Sequence, residues 1–175
     1  LERILNSNPL NHGPTRFKTY VRTHSNVLEQ FKERSFVGPE NLEIVPSKNF
    51  FFMRGEIGCL GGIVIRVEKQ LKILSGFGRD AMVQTSWYSY NASIRNGHNI
   101  LRYDNQHEDA SFRQHPDPHH KHIFNWVTGD ETQVIWIGLE KWPTLGQVIK
   151  ELHDWYWDHK TQLTEPTEYP NIGLR

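Results

Sequence analysis

The sequence predicts an α+β fold: an antiparallel sheet of about five strands, with an N-terminal and a C-terminal helix packed on one face. Three observations lead there. Apolar residues recur at three-and-four spacing near both ends of the 175-residue chain, the mark of amphipathic helices. Between them, runs rich in Val, Ile, Tyr and Trp alternate with polar residues at period two, as half-buried strands do. Short turn signals, above all Asn96-Gly97, join successive runs as hairpins.

The elements follow in order. From Pro14, the residues Phe17, Tyr20, Val21, His24, Val27, Leu28 and Phe31 form one helical stripe, entered at Pro14-Thr15 and stopped by Gly38-Pro39. His24 lies on that stripe and reads as a packed histidine with a local hydrogen bond. Residues 40–53 form a connector punctuated by Pro46-Ser47, in which Phe50-Phe51-Phe52-Met53 is too apolar to be left in water and folds under as core or edge. Ile57 to Val67 and Leu71 to Leu74 read as two strands across a Glu68-Lys69 turn. Gly58, Gly61 and Gly62 have the spacing of neither a dinucleotide fingerprint nor a P-loop, so they read as bulges or close backbone packing.

After a loop at Gly76-Phe77-Gly78, Met82 to Ile94 is a long strand with Val83, Thr85, Trp87, Ser89 and Asn91 on one face and Gln84, Ser86, Tyr88, Tyr90 and Ala92 on the other. Asn96-Gly97 suits a type I′ turn, which needs two residues that tolerate positive φ. The return strand runs from His98 to Asn105, and a proline-marked loop from Gln106 to Pro118 leads into a strand from His119 to Val127. Gly129-Asp130 turns the chain into a last strand from Thr132 to Leu139. Thr144-Leu145-Gly146-Gln147 has the capping-box pattern that opens a helix, along which Leu145, Val148, Ile149, Leu152, Trp155, Tyr156 and His159 trace one face. The chain divides into an N-terminal helical extension (1–39), a single α+β domain (40–163) and a flexible tail (164–175) with two prolines.

Composition narrows the function classes. Twenty basic and twenty acidic side chains cancel, so there is no global basic field for nucleic acid, and any phosphate affinity is local. The lone Cys59 rules out an intramolecular disulfide and fits a reducing cytoplasm. No apolar run approaches the ~20 residues of a membrane span, and no signal-peptide pattern is present.

The chemistry concentrates late in the chain. Six of the ten histidines fall between His98 and His122, most of them in His115-Pro116-Asp117-Pro118-His119-His120-Lys121-His122. Imidazole exchanges protons near neutral pH and is the commonest metal ligand. On the return strand Arg102 and Asp104 share one face while Tyr103 and Asn105 share the other; after the loop, His120 and His122 point one way and His119 and Lys121 the opposite way. If Arg102, Asp104, His120 and His122 face the same side, a carboxylate orients an imidazole beside a guanidinium. One histidine then serves as base and another as acid in attack on a phosphodiester, with Arg102 or Lys121 stabilising the pentacoordinate charge. The rival is a divalent metal site, His120-x-His122 with a third ligand from His107, His115 or Asp104 and an open position for water. A solvated proline-rich loop whose histidines only cap and bridge is the third possibility.

Arg102-Tyr103-Asp104-Asn105, followed by Pro118-His119-His120-Lys121-His122, resembles the R-Y-D-N-x-x-H…P-H-H-K-H pattern of the TumE family of bacterial and archaeal toxins, with His107 one residue short of the place of the pattern's first histidine. The resemblance runs from about Arg54 to Lys160 and includes the glycine-bearing first hairpin, Tyr88-Ser89-Tyr90 and the helix after Pro143-Thr144. It implies a toxin whose partner is a DNA-binding antitoxin of helix-turn-helix type. Two departures are an N-terminal region longer than in typical members and the acidic-aromatic loop from Glu108 to Arg113. Residues and resemblance together lead to one expectation: a cytoplasmic toxin acting as a metal-independent endoribonuclease without cofactor. His120 and His122 share acid and base duties, Asp104 orients one of them, and His107 joins the catalytic group. Arg102 and Lys121 bind phosphate, Tyr103 or Tyr90 stacks a base, and Asn105 and His119 line the substrate. A metal-dependent phosphoesterase or nucleotide-modifying enzyme is the alternative enzyme, and a non-catalytic RNA- or protein-binding module of a nucleoprotein assembly the alternative outside catalysis.

Overall fold

The computed structural model describes residues 13–105, 119–138 and 142–173. It is a mostly antiparallel sheet with two long helices. Helix α1 spans Phe17–Glu33 and buries Tyr20, Val27, Leu28 and Phe31 on its apolar stripe. It stops before Gly38-Pro39 because Ser35 takes a left-handed φ of 56°, Ser35 N–H donates to Lys32 O, and Phe36 N–H reaches back to Phe31 O. These are the paired bonds of a Schellman ending, closed here without glycine.

The strands are β1 (Thr15–Arg16), β2 (Val37–Glu40), β3 (Glu43–Pro46), β4 (Phe50–Cys59), β5 (Ile63–Ser75), β6 (Met82–Ile94), β7 (Asn99–Asp104), β8 (His120–Phe124) and β9 (Glu131–Trp136). Their order is β2-β4-β5-β6-β7-β8-β9, with β1 paired to β6 and β3 to β4. The described residues therefore hold nine strands rather than about five. The extra ones include β1, β2 and β3, each of four residues or fewer and two of them containing a proline, too short and interrupted to show a period.

The first hairpin is also redrawn. The chain reverses at Leu60–Gly62, where Gly61 and Gly62 take φ of 77° and 71°. Phe50-Phe51-Phe52-Met53 opens β4, with Phe51 and Met53 buried and Phe52 exposed. Glu68 and Lys69 lie mid-strand, paired with Ser89 and Tyr88 of β6. Lys69 is 2 % exposed, and an ammonium at a core position is what gives the sequence the look of a turn there. On β6 the alternation slips: Thr85 pairs with Leu71 but Trp87 with Gln70, so Ser86 is an extra residue. This bulge puts Thr85 and Tyr88 on the same buried face, where strict period two would separate them. At the next turn only Asn96 of the Asn-Gly pair has positive φ, 59°, and Gly97 N–H closes on Ile94 O.

Helix α2 spans Leu145–His159 and opens on the capping box: Gln147 N–H donates to Thr144 Oγ1 at 3.0 Å, and Thr144 N–H to Gln147 Oε1 at 2.8 Å. One hydrophobic cluster joins Tyr20 and Phe31 of α1, Ile57, Ile65 and Val67 of the sheet, and Leu145, Ile149 and Leu152 of α2. The first helix is thus part of the core rather than an extension to it. The described part of the tail is packed down as well. Tyr156 Oη donates to Pro166 O, Tyr169 Oη to Ser35 O, and Gly62 N–H to Glu168 O. A side chain at Gly61 would strike Leu163, and one at Gly58 would press on Pro170 and Ile172, so these glycines admit the tail.

Candidate functional site

The pairing of β7 with β8 assembles the site. Arg102 stands opposite His122 and Asp104 opposite His120, and directly opposed residues of an antiparallel pair point to the same side. Four side chains from two strands therefore meet on one face. Arg102 Nε donates to Asp104 Oδ2 at 2.6 Å, and His120 Nε2 donates to Asp104 Oδ1 at 2.9 Å. Arg102 Nη2 bonds His122 Nε2 at 3.0 Å, and His122 Nδ1 bonds Glu131 Oε2 at 2.5 Å. The two imidazoles lie 4.7 Å apart edge to face, and Trp136 of β9 packs on His120 at 5.2 Å.

These contacts fix protonation. A guanidinium has donors only, so His122 Nε2 accepts from Arg102, its ring is neutral, and the proton sits on Nδ1 facing Glu131. Burial holds His122 below the ordinary histidine range; Arg102 and His120 push the same way, and Glu131 pulls against them. Asp104 and His120 are each 4 % exposed. The Arg102 and Glu131 side chains keep 41 % and 45 % of their surface open, against 13 % for His122. The network thus runs from a buried base, Asp104–His120, to an accessible rim, Arg102–His122–Glu131. A carboxylate-oriented neutral imidazole beside an anchored guanidinium is equipped to remove a proton and to stabilise developing negative charge. One atom each of Asp104, His120 and His122 also lies within 4.8 Å of the others, a two-histidine, one-carboxylate set of the kind that holds a divalent ion. Arg102 binds two of these three residues, and its fixed positive charge opposes a cation there.

The other predicted residues fall elsewhere. Tyr103 pairs with Lys121 and with Tyr90 across the sheet, so all three point to the opposite face. There Tyr103 Oη donates to Glu151 Oε2 of α2 at 2.7 Å, and Lys121 forms an ion pair with the same carboxylate. Lys121 is consequently remote from any phosphate held by Arg102. Tyr90 is 1 % exposed and has no ring face to offer a base. Asn105 is engaged with the bulge on β6: its Oδ1 accepts from Tyr88 N–H at 3.0 Å and its Nδ2 donates to Ser86 O at 3.2 Å. His119 is buried, stacked on Tyr88, hydrogen-bonded to the Tyr88 hydroxyl at 3.2 Å and packed against Trp142. It is a core histidine rather than a substrate contact. His107 and His115, with the acidic-aromatic loop, lie outside the described residues.

Two participants are missing from the sequence reading. Glu131 opens β9 directly after the hairpin turn, in which Asn125 Oδ1 accepts from Val127 and Thr128 N–H and Asn125 N–H closes on Asp130 O. Counting the register back from Gly129-Asp130 would have brought this carboxylate level with the end of β8. Glu151 lies on α2, and no local signal links it to β8. Among the described residues, no helix is long and apolar enough to cross a membrane. No family model, curated protein or solved structure matches the chain.

Proposed function

We propose that the chain is a metal-independent endoribonuclease, the cytoplasmic toxin of a prokaryotic toxin–antitoxin pair, with His122 as its general base. The observation that carries the reading is the order Glu131–His122–Arg102: a neutral imidazole oriented by a carboxylate, its lone pair aimed at a guanidinium. A phosphodiester entering beside Arg102 takes over the Nη donors. His122 Nε2, released from Arg102, then accepts the proton of the adjacent 2′-hydroxyl. The O2′–P bond forms, the P–O5′ bond breaks, and solvent supplies the proton to the leaving oxygen. Arg102 stays anchored through Nε on Asp104 while its outer nitrogens stabilise the pentacoordinate phosphorus. His120 is a positioning residue, holding Asp104 through Nε2. The R-Y-D-N and P-H-H-K-H resemblance supports the toxin role and a helix-turn-helix antitoxin as partner.

A second reading, a metal-dependent phosphoesterase, is favoured by the mutual reach of Asp104, His120 and His122. A single experiment addresses both. Purified protein is incubated with RNA oligonucleotides in EDTA and, separately, with divalent metals. The expected result is cleavage in EDTA, leaving 2′,3′-cyclic phosphate ends, lost in His122→Ala and blocked by a 2′-deoxy residue at the scission site. Cleavage that requires added metal transfers the assignment to the second reading. RNA that is bound but never cut makes the chain a binding module.

A further inference from the structure

On the other face of the sheet a second group of polar side chains is buried. Lys69 sits mid-strand on β5, 2 % exposed, with Nζ 5.1 Å from the ring centre of Tyr20 and 6.0 Å from that of Tyr90. Among the described residues its Nζ has no hydrogen-bond partner, and the hydroxyls of Tyr20, Thr85 and Tyr90 are buried without one, the first two close enough to influence each other. Three elements converge here: α1 with Tyr20 and His24, β5 with Lys69, and β6 with Thr85 and Tyr90. His24 stands at the margin, its ring 4.4 Å from that of Tyr20. Among the described residues no carboxylate is within ion-pair distance of Nζ.

An unpaired ammonium in an apolar interior is costly and sheds its proton instead. Burial brings the Lys69 amine down to about 7. Near neutral pH about half of it is then the free base, against roughly one molecule in a few thousand for an ordinary lysine. A neutral amine is a nucleophile, and the elements that bury it also bury the hydroxyls of Tyr20, Thr85 and Tyr90. The enclosure admits only a small, uncharged reagent, since Tyr20 and Tyr90 are as deeply buried as the lysine. Carbon dioxide meets both conditions, and its adduct supplies the acceptors that the hydroxyls lack.

We propose that Lys69 is a carbon dioxide site, where Nζ adds CO2 to form a carbamate held by the hydroxyls of Tyr20, Thr85 and Tyr90. The Nζ lone pair forms the new N–C bond, one C–O π pair moves onto oxygen, and the nitrogen gives up a proton. His24, kept neutral by burial and by Lys69, adds no positive charge beside the site, and solvent takes the proton. The product is a carbamate anion with hydrogen-bond donors on its oxygens, replacing a cation with no partner.

The test is carbon-13 NMR of the full chain equilibrated with labelled bicarbonate. A single carbamate resonance is expected, weakening as pH falls through 7, lost on acidification and degassing, and restored by fresh bicarbonate. It should be absent in Lys69→Gln. Tyr20→Phe removes one donor to a charged group and should raise the CO2 needed for half occupancy about tenfold. The acid-strip cycle and Tyr20→Phe keep the test decisive if Lys69→Gln fails to fold. No resonance in the folded wild type overturns the proposal, as does one that persists in Lys69→Gln or ignores Tyr20→Phe. Chloride-dependent stabilisation without a carbamate signal overturns it in favour of a simple anion site.

Discussion

Replacing Lys69 with Met is expected to stabilise the protein by an amount that depends on pH. The amine has its ordinary value of 10.5 in the unfolded chain and about 7 in the fold. Below pH 7 both states carry the proton, and folding bears the whole cost of burying the charge. Between 7 and 10.5 the unfolded chain holds a proton that the folded chain has released. Stability therefore climbs with pH, at about 1.4 kcal/mol per pH unit. Above 10.5 both are neutral and the climb ends. Across the full span the effect is of order 5 kcal/mol, and from pH 7 to 9 it is roughly 3 kcal/mol. Met has a similar length and no charge, so the variant should lack this slope and gain most at pH 6. Urea unfolding of both proteins in CO2-free buffer at pH 6, 7, 8 and 9 measures it. The difference should shrink steadily above pH 7, with Tm gaps narrowing by roughly 6–12 °C between pH 7 and 9. A difference that stays constant with pH, or a variant less stable at pH 6, would refute the picture of an unpaired buried amine.

The site makes its own predictions. The acid limb of kcat/KM for RNA cleavage should lie below the ordinary histidine range, because burial and Arg102 disfavour imidazolium at His122. Glu131→Gln removes the group that favours it, so the limb should move further toward acid while the plateau falls about tenfold or more; a shift toward alkaline pH would contradict the Glu131–His122 pairing. Arg102→Ala should lower kcat by about 100-fold or more, with Arg102→Lys recovering only part, since one ammonium cannot hold Asp104 and phosphate together; full recovery would reduce Arg102 to a generic charge. His119→Ala should lower stability by about 1–3 kcal/mol through loss of the hydrogen bond to Tyr88 and of its aromatic packing, with cleavage by the remaining folded protein unchanged. Thr144→Ala should cost about 1 kcal/mol in urea unfolding through loss of the α2 cap.

What was legible follows from the range of the forces involved. Helix α2 was readable because its cap and stripe are local, and the extent of β6 because alternation continues on both sides of its bulge, although the bulge swaps the faces of its two halves. The meeting of Arg102, Asp104, His120 and His122 was readable conditionally: alternation fixes which residues of a strand agree, but register decides whether two strands agree with each other. Nothing local could place Tyr103 and Lys121 against α2, since Glu151 lies 30 residues beyond Lys121. The first hairpin was misread for a different reason. Composition equates a charged residue with the surface, whereas Lys69 lies inside among aromatic rings and the true turn is made by two glycines. Glu131 carries no signal of its own, because an acidic residue beside a turn looks solvent-facing and it meets His122 only diagonally, from a pairing with Phe124.

Alternation also changes what the motif itself means. In Arg102-Tyr103-Asp104-Asn105 and His119-His120-Lys121-His122, successive residues go to opposite sides of one sheet. The residues at Arg102, Asp104, His120 and His122 build the polar network, while Tyr103 and Lys121 clamp the same two strands to α2 through Glu151, and Asn105 and His119 tie their ends to β6. Half of the motif therefore builds the polar network and half is the fixture that holds it in register. A site spanning two strands depends on that register to within one residue, because a slip of one would turn the imidazoles of β8 toward the core and Lys121 outward. Anchoring residues interleaved with functional ones prevent the slip in the most direct way, by giving every second position a partner that only the correct register can reach. Substitutions along the motif should accordingly sort by parity: changes on the network face lower activity in a folded protein, and changes on the helix face lower stability first and activity through it.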